Sequence, residues 1–303
     1  MNHSVGAALE LRQYGKGIGL YLAGVALFAA NDALGKWMVA DYSVMQLMLI
    51  RSVGAGVLFL GFAVFRGAKL SLPGRWHLHL LRILLLAGDS FSFYFGTKAL
   101  PLADVMTFYM SAPLIITAAS ALLLKEKVGK QRWSAILVGF VGVLVALQPT
   151  SAAFSPSALI ALAGAASFAL AMVITRTLRD THWLPLVAWQ FIGCGILGAA
   201  GSPFGWVTPS VLDFCLMALV GLIAAGCFML ITKALSLAPA SLLAPFQYSA
   251  ILWAGILGWI IWQDPMTTNI IIGNCIIICS GLFIIYRERR LNIDTGKPLE
   301  PIP

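Results

Sequence analysis

Polar residues break this chain at intervals that leave long apolar runs between them. A helix crossing the ~30 Å hydrocarbon core needs about 20 residues. Ten stretches meet or approach that length, at roughly 18–38, 44–65, 79–99, 103–124, 133–148, 157–177, 184–201, 211–235, 240–262 and 268–286. The fifth is short and the eighth long. Links between them are mostly under ten residues, which leaves no room for a separate soluble domain. The pattern predicts an all-α integral membrane protein with ten transmembrane helices in a bilayer. The first run, from Ile18 to Met38, is too long for the h-region of a signal peptide and lacks a small-residue cleavage site after it. It is expected to stay in the mature protein. The segment from Arg287 to Pro303 is polar and carries proline, so it reads as a disordered tail.

Composition agrees. Of 303 residues 60% are hydrophobic and 11% charged, and the mean hydropathy is +0.90. Soluble domains carry about 25% charged residues, so a cytosolic enzyme, a nucleic-acid-binding domain and a disordered chain are all excluded. The net charge of +8 changes meaning in a membrane protein, because Lys and Arg collect in cytoplasmic loops. With the N-terminus inside, seventeen Lys and Arg fall on the inner side and only Lys36 and Lys98 on the outer, while Arg51 lies within a span. Both termini are therefore expected in the cytoplasm. The five cysteines, all in apolar stretches of the second half, show no metal-ligand spacing and read as buried thiols.

The chain also repeats itself. LAGVALFAANDALGK at 22–36 lies over LAGAASFALAMVITR at 162–176, and TKAL at 97–100 recurs at 232–235. TFYMSA at 107–112 lies over PFQYSA at 245–250; at the same offset Glu126 falls on Asp264, and Gly142 falls close by on Gly281. Four matches in order, at offsets between 135 and 140, define two copies: 18–148 and 157–286, flanked by 1–17 and 287–303. Because five spans is an odd number, the second copy enters the membrane from the opposite side. Inverted repeats of this kind characterise alternating-access transporters, whose substrate lies near the midplane between the copies.

Ionisable residues inside a membrane are costly, so each needs a partner or a task. Asp32 lies 14 residues beyond Ile18 and Arg51 lies 7 beyond Val44, distances of about 21 Å and 10 Å at 1.5 Å per residue. That places them at one depth on consecutive helices, and an Asp32–Arg51 ion pair is the preferred expectation. Lys36, one turn beyond Asp32, is an alternative partner. The pair serves either as structural neutralisation or as an outer gate. Asp89 falls near the midplane of the third span, either protonated, paired with Arg51 or facing a wet cavity. In the cavity reading it contacts a cationic substrate group or loads a coupling proton.

Tyr94, Phe108 and Tyr109 in one copy, with Phe246, Gln247 and Tyr248 in the other, read as a cavity wall suited to flat heterocycles and cations. Pro113 and Pro245 are expected to loosen their helices there. Glycines at 139, 142, 193, 195, 198 and 201 read as close helix packing. Glu126, with Lys125 and Lys127, reads as a solvated interfacial charge cluster, and its match to Asp264 offers mirrored helix-end anchors as the alternative. The four histidines lie outside the span centres, and no acidic pair stands ready for a metal, so neither metal nor cofactor is expected and a membrane-embedded transferase is disfavoured. A channel would need rings of charge or carbonyls about a symmetric axis, for which nothing in the chain speaks. No nucleotide-binding motif supports direct ATP drive.

ALPLADV at 99–105, LKEKVGKQRWSAILVGFVG at 124–142, LAPFQYSAILWAGILGWIIWQDP at 243–265 and SGLFIIYRERR at 280–290 resemble the drug/metabolite transporter superfamily, in its ten-helix branch with two EamA-type repeats. ANDALGKW at 30–37, HLLR at 79–82, QRW at 131–133 and APFQY at 244–248 are most similar to the branch of S-adenosylmethionine uptake transporters, with riboflavin importers almost as similar. Asp264 departs from the Glu usual in the family but keeps its charge. The resemblance implies a secondary transporter of a small organic metabolite in a bacterial inner membrane, with S-adenosylmethionine as the lead substrate. Riboflavin, or export of amino acids or drugs, are its alternatives. Proton or exchange coupling and a monomeric or homodimeric state fit the same picture.

Overall fold

A computed structural model of the chain describes residues 2–66, 71, 74–123, 130–147, 155–178, 181, 183–237, 246, 249–264 and 266–294. Eleven α-helices account for nearly all of them. In the first half these are α1 (Asn2–Asp41), α2 (Val44–Arg66), α3 (Trp76–Ala99), α4 (Leu102–Tyr109), α5 (Ala112–Leu123) and α6 (Lys130–Leu147). The second half holds α7 (Pro156–Thr177), α8 (Trp183–Gly201), α9 (Val211–Leu237), α10 (Ser249–Trp262) and α11 (Thr268–Asp294). Among the described residues, six helices are long and apolar enough to cross a membrane, within Gly15–Asp41, Val44–Gly61, Trp76–Ala99, Pro156–Thr175, Leu184–Gly201 and Val211–Ile231. Shorter apolar helices run over Ser249–Trp262 and Thr268–Ser280.

Local chemistry sets the ends. Ser155 caps α7 by accepting the Ala158 N–H at 3.2 Å, and Pro156 follows where a missing N–H costs nothing. The run expected as one span at 103–124 is instead two helices, α4 and α5, separated at Met110–Ser111. Pro113 stands in the first turn of α5, so it starts a helix and does not loosen the middle of one. At the break the Ser111 hydroxyl donates to the Phe108 carbonyl at 2.5 Å. In the second half the Ser249 hydroxyl donates to the Phe246 carbonyl at 2.6 Å, at the position matched by the repeat. At the break in the first half the Phe108 carbonyl also accepts the Ser111 N–H at 3.0 Å, so this serine holds it through side chain and backbone together.

The packing pairs one half with the other. α1 lies along α9 and α3 along α7, two contacts that interchange when the halves are exchanged; α2 packs on α8 and α6 on α11, each on its counterpart. Small residues permit the close approaches: a Cβ on Gly198 would lie 2.5 Å from the Leu49 nitrogen, and one on Gly142 3.0 Å from the Gly273 carbonyl. Leu47, Met48, Leu86, Leu102, Leu114, Met217 and Ile277 fill the core. The outward side chains are apolar as well, among them Val57, Leu60, Leu84, Leu137, Ile196, Leu252 and Ile260. Water would not tolerate so much exposed apolar surface, and lipid requires it.

Candidate functional site

Three helices of the first half bring ionisable groups into this core. α1 carries Asn31 and Asp32, 0% and 3% exposed; α2 carries Arg51, 8% exposed; α3 carries the half-buried Asp89. Tyr94 from α3 and Tyr109 from α4 stand within electrostatic range of the same groups. The structure thus gathers Asp32, Arg51, Asp89, Tyr94 and Tyr109 into one cluster.

The expected Asp32–Arg51 ion pair is not formed: the two stay farther apart than the ~4 Å that defines one. Arg51 is held by rings, its guanidinium 5.1 Å from the centre of Tyr94 and 5.6 Å from that of Phe191 on α8. Electron-rich faces stabilise a cation without neutralising it. The Arg51 Nε has no hydrogen-bond partner. On the facing helix the Asn31 amide donates to Asp32 Oδ1 at 3.5 Å, leaving Asn31 Oδ1 and Asp32 Oδ2 without partners.

Asp89 is treated differently. The Tyr109 hydroxyl donates to its Oδ1 at 2.7 Å and lies 3.1 Å from its backbone carbonyl. Phe93 meets both Tyr94 and Tyr109 edge-on, with centroids 5.3 Å apart in each case. Gly164 on α7 makes room for the Tyr109 hydroxyl, since a Cβ there would lie 2.5 Å from it. Gly35 does the same for the Tyr94 ring. The Cys194 thiol donates to the Ser90 hydroxyl at 3.7 Å beside the cluster.

Lys36 turns away from Asp32 and pairs with Asp264, across the two halves, at 3.2 Å. Its ammonium also lies 4.5 Å from the centre of the Trp262 ring. Gln263, between Trp262 and Asp264, adopts a left-handed conformation with φ of 58°, and the Asp264 N–H reaches back to the Gly258 carbonyl at 3.3 Å. That conformation is uncommon outside glycine and asparagine, and here it aims the carboxylate at Lys36. More contacts bind the halves at this end. The Tyr42 hydroxyl donates to Asp213 at 2.7 Å, which raises its pKa above the usual phenol value. Gln46 exchanges two hydrogen bonds with Val207, at 2.6 and 3.1 Å. Near the opposite end of α3, buried Arg82 donates to the Thr175 hydroxyl at 2.7 Å and the Leu186 carbonyl at 3.0 Å.

Phe246 is not part of the charged cluster; it packs half-buried against Tyr21, Val25 and Ala234. Pro245, Gln247, Tyr248 and Glu126 lie outside the described residues. Sequence reasoning missed Phe191, which no motif distinguishes from ordinary core, and the Lys36–Asp264 pair. Asp264 was nevertheless visible as an acidic residue at a matched position. Among the described residues no group of His, Cys, Asp and Glu is arranged to hold a metal.

A multi-pass bundle of apolar helices, with ionisable side chains from its first half buried in the core, defines an integral membrane protein. The chain belongs to the EamA-like transporter family, which matches residues 15–148 and 155–286. It is a transporter and not an enzyme. It is 26% identical over 281 residues to an S-adenosylmethionine uptake transporter of Rickettsia bellii, spanning 92% of this chain and 97% of that one. A riboflavin transporter of Rhizobium johnstonii is 29% identical over 219 residues, covering 70% and 71% of the two chains. One solved crystal structure shares the fold with a TM-score of 0.65 at 17% identity, covering 91% of this chain and 99% of its own.

Proposed function

We propose that the chain is a secondary transporter that moves a small organic metabolite across a bacterial inner membrane by alternating access, with S-adenosylmethionine as the lead substrate. Ten spans form two inverted five-helix repeats with both termini in the cytoplasm. The observation that carries this reading is the buried cluster of Asp32, Arg51 and Asp89, whose charges are gathered but not paired off. Ionisable side chains within spans are rare, face the bundle interior or a water-filled cavity, and mark substrate or ion pathways. S-adenosylmethionine carries a sulfonium, an ammonium, a carboxylate and a flat adenine. Two carboxylates, one arginine and the rings of Tyr94 and Tyr109 offer a complement to each. Gln247 and Tyr248, matched by the repeat to the TFYMSA segment, are proposed as substrate contacts from the second repeat beside Pro245, whereas Phe246 packs away from the charged cluster and Pro113 starts α5.

The named relatives agree with a metabolite substrate, and the Rhizobium relative makes riboflavin the second reading. In the alternating cycle the Lys36–Asp264 pair closes the outer end and parts when the site opens outward. Counterflow in proteoliposomes tests the reading. Vesicles loaded with unlabelled S-adenosylmethionine are expected to accumulate an external labelled trace transiently above equilibrium, suppressed by S-adenosylhomocysteine and not by riboflavin. Absence of accumulation with folded protein in the vesicles would reject the lead substrate, and the same assay with riboflavin would then decide the second reading.

A further inference from the structure

Three polar atoms in the cluster are buried without partners, and they divide by sign. Asn31 Oδ1 and Asp32 Oδ2, both acceptors, stand on α1; Arg51 Nε, a donor, stands on α2. Leaving such atoms without partners is costly, and more so where the group is charged. The cluster does have the means to remove this cost, because Arg51 and Asp32 are near enough to feel one another's charge. They are kept from contact while Tyr94 and Phe191 hold the guanidinium between their rings. Asp89 differs, since the Tyr109 hydroxyl already occupies one of its oxygens.

We infer that this cluster recognises a zwitterionic α-amino-acid group, with Arg51 taking the substrate carboxylate and Asp32, helped by Asn31, taking the ammonium. A group bearing both charges on one α-carbon satisfies the acceptor wall and the donor wall together. A purely cationic or purely anionic ligand would leave one wall unpartnered and buried. The aromatic and Asp89 side of the site then receives the remainder of the molecule. The inference rests on the transporter reading only in treating the cluster as the substrate site, and it sets the substrate class independently of the S-adenosyl part.

The test is ligand-dependent thermal stabilisation of the purified full-length protein in detergent, which needs no transport. The probes are S-adenosylmethionine, S-adenosylhomocysteine, L-methionine and L-phenylalanine as zwitterions. Beside them stand the amides of the two amino acids, their 2-oxo acids, adenosine and riboflavin. At least one zwitterion should bind about tenfold to a hundredfold more tightly than its amide or 2-oxo acid. In Arg51→Gln the preference for free carboxylate over amide should vanish; in Asp32→Asn the preference for amine over oxo group should vanish. A merely structural role for either residue would lower all affinities together without this split. Binding of methionine or phenylalanine without S-adenosyl compounds would uphold the inference and reject the lead substrate. No binding by any zwitterion, or equal binding by zwitterion, amide and oxo acid, would overturn it and leave the transporter reading standing.

Discussion

Asp32 and Lys36 lie one turn apart on α1, yet their charges meet opposite fates. Lys36 reaches a carboxylate of the other half at 3.2 Å and an indole face besides, on side chains 11% and 31% exposed. Asp32, at 3% exposure, keeps one oxygen with no partner although an arginine stands on the next helix. The less buried charge is the better paired. Burial alone would demand the reverse, because desolvation penalises the deeper group more. The difference separates a contact that holds two halves together from a site that leaves room for a third party.

The largest effect expected from breaking this contrast is at Asp32. Asp32→Asn should reduce counterflow at least a hundredfold while the thermal midpoint in detergent stays equal or rises, since an unpaired buried charge is removed. A large fall in midpoint would show that Asp32 serves the fold. Next comes Asp89, whose replacement by Asn should abolish transport or its pH dependence with folding intact; unchanged transport at every pH would remove it from the mechanism. Gly164→Ala should lower transport about tenfold, because the new methyl displaces the Tyr109 hydroxyl from Asp89, and Tyr109→Phe should match it. Unequal effects of these two changes would separate packing from the hydrogen bond.

At the Lys36–Asp264 pair, solvent screening limits the stability at stake to about 1 kcal/mol or less. Lys36→Ala and Asp264→Asn should each shift the midpoint only slightly, and the exchange Lys36→Asp with Asp264→Lys should recover transport lost in Lys36→Asp alone. Failure of the double change to do better than the single one would deny the pair a role of its own. The smallest effect is at Gln263→Gly. Relief of the left-handed backbone should raise the midpoint by a degree or two, and a fall would mean that the side chain matters more than the backbone.

The spans were legible because lipid forces each helix to be written as an unbroken apolar run. For the same reason the break at Met110–Ser111 was not: it falls inside such a run, and Ser111 satisfies it with a local hydrogen bond that leaves hydrophobicity unchanged. Asp32, Arg51 and Asp89 stood out as charges where charges are expensive. Their partners did not, because pairing depends on how halves meet. Lys36 and Asp264 are 228 residues apart, and nothing within four residues of Lys36 points to that choice. Helical depth correctly set Asp32 near Arg51 but carried no information on the Tyr94 and Phe191 rings that hold the guanidinium.

The hydrogen bond from Ser111 to Phe108 has a thermal consequence. It doubles the backbone contact from the Ser111 N–H to the same carbonyl, so that carbonyl keeps a partner when the chain bends between α4 and α5. Heat capacity changes when surface is hydrated. Motion confined to this break should therefore give a straight Eyring plot of exchange rate against temperature, and Ser111→Ala, which lets water reach the carbonyl, should bend it.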